Sequence, residues 1–164
     1  MDQNRYRPPR SNIGIRNREP GSIPRAVAVG ALIDIGGSLT GSIVLAFLYA
    51  MMLGLQGHSN DAIQQALTTF ERWSPFGVLL TLLGTAMSVL GGYHCARIAN
   101  RTNYLAPGIL SLVSVTAGAL LSGGQMPQRE LILFSALTVI AIMSGAALYM
   151  RKFAEPRPPS AAES

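Results

Sequence analysis

This sequence is short of the residues that most functions need. Cysteine occurs once, as Cys95, so there is no intramolecular disulfide and no CxxC pair for metal or redox work. Histidine occurs only at His58 and His94, too few to build an ordinary metal centre, and no metal or other cofactor is expected. HExxH, GxSxG and P-loop patterns are missing, as is any cluster of acids and bases, so enzymatic chemistry is not expected. Charge is the deepest shortage. Charged residues make up 13% against 49% hydrophobic, about half the charged share of a typical soluble domain. So little charge does not cover a water-facing globule.

The deficit is concentrated in four stretches, Ala26–Leu55, Phe76–Ala96, Tyr104–Ser122 and Leu131–Met150. A helix rising about 1.5 Å per residue crosses a hydrocarbon core of about 30 Å in about 20 residues. The last three stretches fit that length, and the first exceeds it, so it must tilt or project. None alternates strictly, which argues against a lipid-facing barrel. Pro24, Pro75, Pro107 and Pro127 lie near the starts of spans, where a missing N–H costs little, and none falls in a middle. The sequence therefore predicts an all-α integral membrane protein with four continuous transmembrane helices.

Orientation follows from the basic residues. Eleven of the thirteen lie before the first span, between spans two and three, or after span four; only Arg72 and Arg129 lie in the other two loops. The positive-inside rule then puts both termini in the cytoplasm. The expected organisation is a disordered basic tail over residues 1–24, a bundle over 25–151 and a second tail over 152–164. The first span starts after a long polar segment and exceeds a signal-peptide core, so it reads as a retained anchor. A bacterial inner membrane is the expected location. The tails lack the aromatic interleaving of a nucleic-acid surface, so no nucleic acid is expected; anionic lipid is a more natural contact.

Outside the spans, Ile63, Leu67, Phe70 and Trp73 recur at three- or four-residue spacing. That spacing predicts a short amphipathic helix in the first external loop, capped by Ser59 or Asn60.

One acid, Asp34, lies within a span. Its burial in hydrocarbon costs several kcal/mol or more, so it should face protein or water. Gly30, Ala31, Gly37, Ser38 and Gly41 share its helix face. On the second span Thr81, Gly84, Ser88, Gly91 and Cys95 form a similar stripe, and Ser111, Ser114, Gly118 and Ser122 align on the third. Such stripes let helices approach closely. Gly30, Gly37, Gly41, Gly84, Ser88 and Gly91 are expected to form the packing face, and His94 is the expected partner of Asp34. Gly91 and Arg97 also match Gly145 and Arg151 at an offset of 54 residues.

Two functions fit. One is an accessory or scaffolding component, a homo-oligomer or a subunit of a larger membrane complex, with Asp34 a structural ion pair. The other is a small proton- or cation-coupled transporter or channel that uses Asp34. Its partners are the lipid bilayer and a second copy or another membrane protein. An acid in the first of four helices resembles small multidrug exporters, whose chains are shorter and loops tighter, and no function is carried across.

Overall fold

The computed structural model describes residues 21–68, 74–100, 104–122 and 127–154, and most of both expected tails lies outside them. All regular structure among the described residues is helical. Helix α1 runs Ile23–Leu55, α2 Asn60–Thr68, α3 Pro75–Ala99, α4 Leu105–Leu121 and α5 Gln128–Ala154. Helices α1, α3 and α5 are long and apolar enough to cross a membrane; α4, with 17 residues, is a shorter apolar helix.

Local chemistry fixes the ends. Ser74 caps α3 by accepting the Gly77 N–H at 3.2 Å, with Pro75 in the first turn. At the other end of α3, Asn100 takes a left-handed conformation (φ 48°), and its N–H donates to Ala96 O at 3.1 Å. A short asparagine is one of the few side chains that tolerates that geometry. In the loop helix α2, Ser59 Oγ accepts the Ala62 N–H at 3.3 Å. Ile63 and Leu67 are half-buried there, whereas Phe70 and Trp73 lie outside the described residues.

Helix α1 is continuous but not uniform. Its turn Leu32–Gly36 is a π-turn, one residue wider than an α-turn, with Asp34 at its centre. Such turns are rare and concentrate at functional positions. Gly36, which ends the turn, and Gly37, which follows it, carry no side chain to oppose the widening.

The helices alternate in direction. Gly21 N–H meets Ala99 O at 3.0 Å, Gly30 packs on Gly91 and Tyr49 stacks on Phe76, so α1 and α3 are antiparallel. Gly30 beside Leu110 and Asp34 beside Ser114 make α1 and α4 parallel. Gly92 against Ile142 and Tyr93 against Tyr149 make α3 and α5 parallel. The offset noticed in the sequence thus falls on two adjacent parallel helices, although Gly92 rather than Gly91 makes the closest approach to α5. A Cβ at Gly92 would run into Ile142 O, and one at Gly145 into Val89 O.

The core is concentrated at one end. Ala26, Cys95, Ala99, Ala106, Leu110 and Ile142 form one buried cluster, and Ala96, Ala146 and Tyr149 another. These residues lie on the side where α1 begins and α3 and α5 finish. Beyond Gly36, α1 packs against α3 and α2 but has no substantial contact with α4 or α5, and no residue from Gly37 to Leu55 is buried. The bundle is closed at one end and splayed at the other.

Candidate functional site

Where the closed half meets the splayed half, Asp34 projects from the π-turn into the bundle, 5% exposed. Ser88 of α3 donates its hydroxyl to Asp34 Oδ1 at 2.6 Å, and Ser114 of α4 donates to Oδ2 at 2.5 Å. Three helices therefore meet at one carboxyl group. A hydrogen bond contributes about 0.5–1.5 kcal/mol net, and leaving a buried polar atom without one costs about 1–3 kcal/mol. The two serines thus offset much of the cost of holding an acid among apolar helices.

The glycines explain how the helices come so close. Gly91 sits beside Asp34, where a Cβ would stand 3.0 Å from the Asp34 Cβ and 2.9 Å from Gly30 O. At Gly30 an added Cβ would lie 2.8 Å from Leu110 Cδ2. Gly37 and Gly41 face Met87 and Leu83 of α3. The stripe from Gly30 to Gly41 is thus the surface on which α3 packs.

Two expected site residues are placed differently. His94 does not pair with Asp34, whose oxygens meet Ser88 and Ser114. His94 lies six residues beyond Ser88, about 9 Å along the helix, and its ring stands edge-on to Tyr93 at 5.7 Å. Gly84, expected in the packing seam, has no neighbour within 4 Å of a built Cβ, and the same is true of Gly118. Both border a void instead.

That void is a partly open cavity of ≈ 250 Å³ with Asp34 at its inner end. Among its described lining residues are Ser38, Thr81, Thr85, Ser88, Ser114 and Thr138, with Leu39, Leu121, Phe134 and Leu137 supplying much of the apolar wall. A smaller cavity of ≈ 100 Å³ shares Ser114, Gly118, Phe134 and Thr138 with it and reaches Ser135. Thr81 and Thr85 donate to Gly77 O and Thr81 O at 2.9 and 2.8 Å, and Thr138 donates to Phe134 O at 2.9 Å. Their oxygens keep lone pairs for the cavity. Because α1 leaves α4 and α5 beyond Gly36, the space runs from Asp34 toward the splayed end.

Ser88 and Ser114 lie on the stripes visible in the sequence, but nothing in the chain's local pattern pairs either with Asp34. No group of three or more His, Cys, Asp or Glu suited to a metal occurs among the described residues. The chain matches no family model, no curated protein and no solved structure.

Proposed function

We propose that this is a four-span membrane protein of the bacterial inner membrane, with both termini cytoplasmic, that takes up a proton or cation at Asp34. It would act as a small ion-coupled transporter or channel. The observation that carries the reading is the placement of the only acid within any of the four apolar stretches at the inner end of a hydroxyl-lined cavity. An acid inside a membrane span that borders a cavity large enough for water is a functional-site candidate by default.

The proposed orientation draws support from the charges at the two ends. Arg25, Arg97, Arg151 and Lys152 are exposed at the closed end, whereas Asp61, Arg129 and Glu130 mark the splayed end. The positive-inside rule then makes the closed end cytoplasmic and turns the cavity outward. A cysteine introduced at Asn60 should react with an impermeant reagent only from outside; labelling from the cytoplasm would overturn this orientation.

A second reading, an accessory or scaffolding component, draws on the splayed half of α1. Ile43, Phe47 and Leu55 are 70%, 67% and 83% exposed there, a surface for lipid, a second copy or another membrane protein. Reconstituted vesicles separate the two functions. Ion coupling predicts a cation gradient that drives proton movement in the parent protein and fails to in Asp34→Asn with assembly intact. If the parent protein moves no ions and Asp34→Asn breaks assembly, the scaffolding role stands instead.

A further inference from the structure

The cavity wall specifies which ligand Asp34 faces. Among the described hydroxyl groups lining it, Thr81, Thr85 and Thr138 spend their protons on backbone carbonyls one turn back. Ser88 and Ser114 spend theirs on Asp34 itself. Only the Ser38 hydroxyl keeps its proton for the cavity, and the described lining contains no Arg, Lys, His, Asn, Gln or Trp side chain. The polar wall therefore offers lone pairs and almost no donors.

That asymmetry discriminates between hydrated ions. Waters around a cation turn their hydrogens outward and need acceptors beyond them, whereas waters around an anion turn their oxygens outward and need donors. The wall suits the first and fails the second. Its oxygens are also spread out. Thr81 and Ser88 are seven residues apart on α3, about 10 Å along the axis, so they do not converge as a shell around one bare ion. At ≈ 250 Å³ the space exceeds the roughly 30 Å³ share of one water, leaving room for an ion that keeps part of its hydration.

Charge sets the valence. Asp34 is the only ionisable side chain among the described lining residues. One carboxylate balances one positive charge, and a divalent ion would leave an uncompensated charge beside apolar walls, which is costly. Building on the functional reading above, we infer that the cavity binds a partly hydrated monovalent cation, an alkali ion or a small ammonium ion. The ion sits against Asp34, with its outer waters donating to the threonine ladder Thr81–Thr85.

The test is the sodium-23 NMR line width of the purified full chain in detergent, titrated with competing ions. Sodium should broaden with the parent protein, and potassium and methylammonium should reverse this at comparable concentrations. Calcium at matched ionic strength should not. Asp34→Asn should abolish the broadening. Thr85→Val, which keeps shape and removes an acceptor away from the acid, should weaken sodium about threefold to tenfold, the effect of one hydrogen bond; thermal melting shows whether each variant is folded. Broadening that survives in folded Asp34→Asn, or calcium that displaces sodium more readily than potassium does, overturns the inference. If sodium never broadens but Asp34-dependent proton movement persists in vesicles, this inference fails while the functional reading stands. If that movement is also lacking, the functional reading fails with it.

Discussion

The two halves of this bundle use the same small residues for opposite ends. In the closed half, Gly30, Gly91, Gly92 and Gly145 are filled by neighbouring backbone and side chains, and the helices touch through them. In the splayed half, Gly37 and Gly41 still meet Met87 and Leu83 where α1 packs on α3, but Gly84 and Gly118 face nothing within 4 Å, and hydroxyls join apolar side chains around the space they leave. Asp34 sits at the junction. The difference shows that a small-residue stripe in a membrane helix is an absence of volume, and the crossing of the helices decides whether that absence becomes contact or cavity.

If this contrast is correct, substitutions of one kind should have opposite effects in the two halves. The largest effect is expected at Gly92→Ala or Gly145→Ala, where a Cβ alone meets backbone oxygen and pushes α3 and α5 apart. Each should destabilise the bundle by about 3 kcal/mol, the upper part of the usual range for overpacking, and thermal melting in detergent measures it. Next come Ser88→Ala and Ser114→Ala, which remove a donor from the Asp34 carboxyl group. Each should cost about 1–3 kcal/mol by the same assay, and less if water from the cavity replaces the lost hydroxyl. The smallest effect belongs to Gly84→Ala. Its new methyl group enters open space and a helix gains a better former, so stability should rise by about 0.5–1 kcal/mol. A clear loss at Gly84 would mean that the splayed half closes in the native protein.

The contrast was only partly legible in the sequence. The helices were, because long uncharged runs bounded by Pro24, Pro75 and Pro127 leave few alternatives to apolar helices. The importance of Asp34 was also legible, since a lone acid on a small face is costly anywhere else. Its partners were not. Ser88 and Ser114 are separated from it by 54 and 80 residues, and a helical wheel gives a direction without saying which side chain on another helix will meet it. His94 is the expected partner because its place in the second span puts it at a depth near that of Asp34, just beyond the edge of the small face, but it lies about two turns beyond Ser88 along α3. Gly84 and Gly91 share a stripe and separate only when α1 leaves α4 and α5 beyond the π-turn. That splay depends on the whole packing arrangement, which no local window contains. The π-turn itself leaves little sign beyond Gly36–Gly37, a pair that ordinary α-helices also tolerate.

The central claim is that water and ions reach the Asp34 level from the splayed side and no further. A cysteine at Thr85 tests this most directly, with native Cys95, fully buried in the closed half, as the internal control. The purified Thr85→Cys protein, reconstituted in lipid nanodiscs that leave both membrane faces open, would be treated with a water-soluble methanethiosulfonate, and both positions read by mass spectrometry. The account predicts modification at position 85 and none at Cys95. An unreactive position 85 in folded protein, or equal labelling at both positions, would contradict it.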